Sequence, residues 1–428
     1  AALALPLTLP APAAAAPAAE AVPGSTQSLP LTPLGTDRST AAARQQGLPQ
    51  RDVRPFSLVG VVWNDPAVAL NGHVEVRTRT TGTTTWSRWQ DLETHNDDAP
   101  DPGTAESSGR TLRGSTAPLW VGDSDGVEVR VEAGTPAGAD RGTESQPLPE
   151  GLRLELVDPG EEPAAQGAPA DGPRTANLTA ETAAASAVNA QLAPLGAAEI
   201  PALSRRQTQD ALTAARGGEP DRAQAGPYIG PRPRIVTRKG WGADEKLRES
   251  QFLYTDTVKA AFVHHSASGN NYRCSQAPSV IRSIYRYHVK SSGWRDIGYN
   301  FLVDKCGTIY EGRAGGVAKP VMGAHTLGFN SDTMGVAVLG SFGSSNPPAA
   351  AVKAISQLTA WKLGLFGADP SGSTNLVSAG GNLYEKGKSV RLKVISGHRD
   401  GFATECPGER LYNQLGTART TSAQLQGR

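Results

Sequence analysis

The chain has three cysteines in 428 residues, no surplus of either charge, and no unbroken apolar run long enough to span a bilayer. Each shortage excludes something. With 42 Lys+Arg against 41 Asp+Glu the formal net charge is +1, which gives no electrostatic reason to bind nucleic acid, and no basic run points to an anionic membrane. The apolar stretch at the N-terminus is short and broken by Pro6 and Pro10, which argues against a transmembrane segment. No CxxC or HExxH motif is present, so local spacing alone defines no metal site. No repeat unit stands out.

What is abundant is linker chemistry. The 48 glycines and 32 prolines concentrate outside the segments that read as folded, and the length fits two domains plus connections. Residues 1–21 carry no charge until Glu20 and run through repeated small residues. They resemble the apolar core and Ala-x-Ala end of a secretory signal that lacks its Met and basic start; the alternative is a low-complexity Ala/Pro tail. The first reading makes the protein exported, either secreted or held at a cell wall.

Residues 22–52 read as a flexible lead-in. Residues 53–157 change to short alternating segments, as in Val74-Glu75-Val76, Val127 to Val131 and Leu152 to Leu156, separated by Gly- and Asp-rich turns. This pattern predicts a smaller β-rich domain, a sandwich. Its Trp63, Trp86, Trp89 and Trp120 are read as core, with a sugar-stacking platform as the alternative. His73 and His95 are expected at the surface. Residues 158–232 return to Ala, Pro, Gly and Gln and read as a linker that leaves the two domains independent, with loose helices allowed over roughly Ala176–Ala215 but no core stripe among them.

Residues 233–428 are globular in composition. Strands are predicted at Lys259–His264, Tyr299–Val303, Thr308–Tyr310, Thr333–Leu339 and Val390–Ile395, with helices at Gln276–Lys290 and Ala349–Leu365. Asp304–Gly307 reads as a hairpin turn. The mixture without strict βαβ alternation predicts an α/β domain with a mixed central sheet and flanking helices.

Five of the seven histidines, His264, His265, His288, His325 and His398, fall in this domain. His264 ends one predicted strand, His398 follows another, and Cys406 lies on a returning loop. Two imidazoles and a thiolate around one ion, with a fourth position left to water, would make a catalytic zinc site. If Cys274 and Cys306 pair, Cys406 is the thiol left over in an oxidising compartment, and metal ligation would account for it. A structural histidine with a buried thiol fits the spacing equally well.

A resemblance separates these readings. RKGWGA at 238–243, VHHSAS at 263–268, the run from Ile281 to Arg313, GAHTLGFNSDTMGVAVLG at 323–340 and ISGHRDGFATECPG at 395–408 together resemble the peptidoglycan recognition proteins and type 2 N-acetylmuramoyl-L-alanine amidases. The similarity runs from about Arg234 to Leu415. It implies a zinc amidase that cuts the bond between N-acetylmuramic acid and the L-alanine of the peptidoglycan stem. It implies one zinc per chain, held by His264, His398 and Cys406, with Tyr299 hydrogen-bonding at the reaction centre. The residue two before the ligand cysteine is Lys in phage lysozyme-type members and commonly Thr in amidase-active receptors; here it is Thr404, which can offer only a neutral hydrogen bond. Members that have lost a ligand bind muramyl peptides without cutting them, and all three positions are intact here. A metal peptidase acting within the stem remains a third reading on composition alone.

The resemblance also implies substrate contacts at His325 and Asn330. Gly293 and Trp294 before the DIGY strand, with Arg313 after the next, resemble the signature for diaminopimelate-type stems, in which Arg313 grips the extra carboxylate. His265 is expected to face away from the metal, His288 to pack, and Asp400 or Arg399 to orient His398. The expected disulfide is Cys274–Cys306. A monomer with peptidoglycan as its partner completes the expectation.

Overall fold

The computed structural model describes residues 23–34, 44–94, 98–134, 146–161, 180–217 and 227–428. The signal-like stretch at residues 1–21 and His95 lie outside them.

The N-terminal half is built on one hydrogen-bonded path of strands that wraps around its own core. The strand Gln45–Trp63 is the spine. Its first part pairs with Leu119–Ala133 and its second with Arg153–Asp158, with register shifts between Leu48 and Leu58. Such bulges bend a strand and let its two ends serve different layers. Val59, Val61, Val74, Val76, Val129, Leu154 and Leu156 alternate into one core, as the period-2 pattern requires.

Strand structure starts earlier than the sequence suggested. Within the expected lead-in at 22–52, Ser25–Pro30 pairs with Arg153–Asp158, and Gln45 already pairs with Glu132. Proline and polar residues hid both segments; in the edge strand Ser25–Pro30 the missing donor of Pro30 is tolerated. Trp63 and Trp120 are core, whereas Trp86 and Trp89 lie half-buried under Arg77, Arg79 and Arg130. His73 is exposed beside Asp91.

The C-terminal half is a seven-stranded mixed sheet in the order Ile395–Gly397, Ala260–His265, Thr333–Val338, Phe301–Val303, Ile309–Glu311, Ile235–Val236 and Glu199–Ile200. The helices Ala349–Leu365 and Leu415–Gln426 cover one face, and the helix Ala277–Arg286 covers the other. The disulfide Cys274–Cys306 ties the start of that helix to the Phe301–Glu311 hairpin, where Asp304 Oδ1 accepts the Cys306 and Thr308 N–H groups.

Two expectations change here. The strand expected at Val390–Ile395 breaks at Val394: Ser389–Lys393 pairs with Ser373–Val377 in a separate ribbon, and only Ile395–Gly397 joins the main sheet. The stretch at 158–232 is also more than a linker. Glu199–Ile200 adds an edge strand, and the helix Arg205–Ala215, with the Ser204/Gln207 capping box, buries Leu212 in the main core. Only sparse apolar residues are needed there, because each docks singly on a finished core.

The two halves share apolar packing, so the expectation of independent domains fails. Leu58, Val62, Trp120 and Val157 of the N-terminal sheet pack with Val280, Ile284 and Tyr287. The buried Tyr287 hydroxyl lies 3.1 Å from Thr116 O and 3.3 Å from Val61 O, and Ser291 donates to Glu155 at 2.8 Å. A Cβ at Gly60 would lie 2.3 Å from Tyr287 Oη, so the sheet can approach only because no side chain stands there. Gly60→Ala should cost about 1–3 kcal/mol by overpacking, read as a lower denaturant midpoint at unchanged m-value; unchanged stability would show that the contact is loose.

Candidate metal centre and substrate groove

Register creates the site. Val263 sits opposite Gly397 in a parallel pair, so the next residues, His264 and His398, leave adjacent strand ends side by side. Their ring centroids are 4.5 Å apart, and both residues are fully buried. The loop after His398 is held by Asp400, which accepts the Gly397 N–H at 2.8 Å and the Tyr412 hydroxyl at 2.6 Å. Arg399 N–H donates to Cys406 O, and this fold-back brings Cys406 Sγ to 3.7 Å from His264 Nδ1.

The ligand atoms of His264, His398 and Cys406 lie within 4.8 Å of one another. Tetrahedral zinc with ordinary bond lengths sets its N···S separation near about 3.6 Å, so the cluster can close on one ion. The polar accounting agrees: among the described residues neither ring nitrogen of buried His398 makes a hydrogen bond, Nδ1 having only the Asp98 carboxylate at 3.3 Å, which a buried polar group rarely tolerates unless something else satisfies it. Burial pushes the Cys406 thiol well above its usual value, and the Asp98 and Glu93 charges add to this. Burial also pushes His398 down to about 3, with His264 assisting, so its imidazole is neutral and able to ligate. His264 Nε2 lies 3.3 Å from Thr326 Oγ1, which fixes the ring with Nδ1 toward the centre.

Several expected roles shift. Asp400 and Arg399 do not touch the His398 ring; Asp400 holds backbone, and Arg399 donates to Glu405 O and lies over Tyr412. His325, expected on the groove wall, is enclosed beneath His264 with its ring edge-on at 5.3 Å. Glycines at 323 and 335 leave space for that ring, and burial drives its pKa well down. Trp294 is no open wall either: it is buried and stacked on His288 at 4.2 Å. His288 accepts the Gly298 N–H, in line with a packing role. His265 faces away from the centre, toward Glu93 at 3.1 Å. Thr404 accepts from Cys406 N–H, and Tyr299 lies 5.5 Å from His264 between ring centroids.

The remaining groove residues are all engaged by one segment of the N-terminal half. Asp98 Oδ1 lies 3.0 Å from His264 Nδ1 and 3.3 Å from His398 Nδ1, and its Oδ2 accepts the Tyr299 hydroxyl at 2.5 Å. Burial would raise the Asp98 carboxyl, but His264, His398 and Tyr299 together hold it below the usual range. Asn330 donates to Ala99 O and Asp101, and Gly328 N–H donates to Asp101. Glu106 pairs with Arg313 at 2.8 Å. Arg110 donates to the Gly293 and Trp294 carbonyls, and the open side of Gly293 is filled by Thr111 O. The sequence reading missed all of these partners. DDAPDPG reads as a turn, and no local pattern says which groove a turn enters.

Residues 254–409 match the family described as N-acetylmuramoyl-L-alanine amidase, and residues 12–166 match the Rv3811 N-terminal galactose-binding domain-like family. Peptidoglycan-recognition protein SC2 of Drosophila simulans is 32% identical over 43% of this chain and 85% of its own length. This chain belongs to the peptidoglycan-recognition protein family. Human N-acetylmuramoyl-L-alanine amidase is 31% identical over 43% of the chain and 28% of its own length. The crystal structure of peptidoglycan recognition protein-LE in complex with tracheal cytotoxin matches at 30% identity, covering 43% of this chain and 92% of that one, with a TM-score of 0.34.

In this peptidoglycan-recognition domain, His264→Ala removes one of the three side chains that converge on the candidate metal centre. Zinc content, measured by elemental analysis after gel filtration, should fall from one per chain toward none while the far-UV spectrum holds. Stoichiometric zinc in the variant would remove His264 from the site.

Proposed function

We propose that the chain is a zinc-dependent N-acetylmuramoyl-L-alanine amidase, acting as an exported monomer on peptidoglycan with a preference for diaminopimelate stems. The observation that carries this reading is the convergence of His264, His398 and Cys406 on one point, where the His398 ring nitrogens make no hydrogen bond among the described residues, within a domain matched by the amidase family. A zinc ion held there supplies Lewis acidity toward an amide carbonyl and toward water.

The chain's own residues do the rest. The Tyr299 phenol, fixed between His264 and the groove, donates a hydrogen bond to oxygen as negative charge builds on it. Thr404, partly exposed at the mouth of the Cys406 loop, offers a neutral hydrogen bond. Asn330 positions the stem through its amide. Arg313 is oriented by the Ile297, Asp296 and Met322 carbonyls and binds the second carboxylate of diaminopimelate as a fork. The disulfide suits an oxidising compartment outside the cytoplasm.

Mass spectrometry of muropeptide digests tests the reaction, run with the unmutated chain and with the Asp98→Ala/Glu106→Gln double variant. Free stems beginning with L-alanine are expected; their absence from both digests overturns the amidase reading. Tyr299→Phe should keep zinc and lower kcat by about 10²–10³, and an unchanged kcat would transfer the role to Thr404. Arg313→Ala should erase the preference for diaminopimelate over lysine stems, a charged contact worth about 1.5–3 kcal/mol; equal kcat/KM on both stems before mutation contradicts the preference.

A further inference from the structure

The geometry points to residues 98–113 as a built-in occupant of the groove. Asp98 acts as an additional carboxylate ligand on the open side of the His264/His398/Cys406 centre, and the segment must withdraw before a muramyl peptide enters. This rests on the metal and substrate reading given above and adds a state in which the folded chain is latent.

Three acids make the case. Asp98, Asp101 and Glu106 are 7%, 2% and 1% exposed, and burying a carboxylate costs several kcal/mol unless it is specifically paired. Each is paired in the groove. Asp98 meets two imidazoles and the Tyr299 hydroxyl. Asp101 is received by N–H groups of Gly328 and Asn330. Glu106 faces the guanidinium assigned to the substrate carboxylate. The segment therefore presents anions where an anionic stem peptide and a metal-bound group would lie.

Asp98 Oδ1 sits within 3.3 Å of the Nδ1 atoms of both imidazoles. That oxygen faces both imidazoles at once, at 3.0 Å and 3.3 Å, on the side of the centre from which Tyr299 is also reached. Beside Glu106, the cavity it bounds with Asp296 and Arg313 measures about 20 Å³, room for about one water.

Adhesion of the two halves does not require these contacts, because the apolar packing around Tyr287 supplies it separately. A segment held only to join domains would have no reason to bury three acids against the substrate-binding groups. Withdrawal of 98–113 while the Tyr287 contact holds would open the groove without separating the halves.

Hydrogen exchange on the full chain, with and without zinc, tests the ligand. Zinc should slow exchange in residues 98–113 of the unmutated protein and leave it unchanged in Asp98→Ala, which should also hold zinc at least about tenfold more weakly against a competing chelator. Glu106→Gln touches no metal ligand and guards against a folding defect at Asp98. It should keep zinc affinity and bind a diaminopimelate muramyl tripeptide about tenfold more tightly by calorimetry, as the competent fraction rises. Zinc-independent exchange of 98–113 together with unchanged zinc affinity in Asp98→Ala overturns the proposal. If no variant binds the tripeptide, the substrate reading fails instead, and the exchange and zinc measurements still decide the ligand.

Discussion

The parallel pairing of Val263 with Gly397 is the constraint on which the chemistry hangs. Adjacent parallel strands deliver their next residues to the same edge of the sheet, about one strand spacing apart. Two imidazoles can thus converge with no motif linking them in sequence. The third group, Cys406, depends on that pairing as well, because its loop is anchored at Gly397 through Asp400 and at Arg399 through the Cys406 carbonyl. A one-residue slip at this edge would turn His398 to the opposite face and scatter all three. The central strand carries neighbours on both sides, Thr333–Val338 and Ile395–Gly397, so the register is held from two directions.

Around this rigid edge the protein accumulates buried charge, and the accumulation is selective. Arg238 is enclosed between Asp296 and Glu245; Arg313 is enclosed among carbonyls and Glu106. The first group lies wholly within the C-terminal half and is structural. The second crosses from one half to the other, as do Asp98 and Asp101. Interactions that span two units differ from those within one, since they can be broken without unfolding either. This difference separates a network that stabilises the domain from one that governs entry to it.

What the sequence revealed follows the range of the forces involved. The Phe301–Glu311 hairpin, the helix Ala349–Leu365 and the buried face of Ala277–Arg286 were legible, since period and turn chemistry are local. The grouping of His264, His398 and Cys406 was reached only through resemblance, because His264 and Cys406 are 142 residues apart and spacing left a buried thiol equally plausible. His325 was misplaced for a related reason: a motif marks a neighbourhood, and only packing decides which side chain faces inward. Asp98 was invisible, since an Asp in a Gly/Pro turn is the commonest of surface features and its partner lies in the other half of the chain. The strands at Ser25–Pro30 and Glu199–Ile200 escaped notice because short edge strands borrow their order from a sheet already formed.

Tyr287 has an implication for descent. Its ring belongs to the C-terminal half, yet its hydroxyl and the bare backbone of Gly60 fit each other across the boundary. A recombination event that replaced the N-terminal sheet would have to supply the same bare strand at that point, or leave a phenol buried without acceptors. Change on one side of this contact is thereby screened against the other: a side chain at position 60 and a phenol at position 287 compete for the same space.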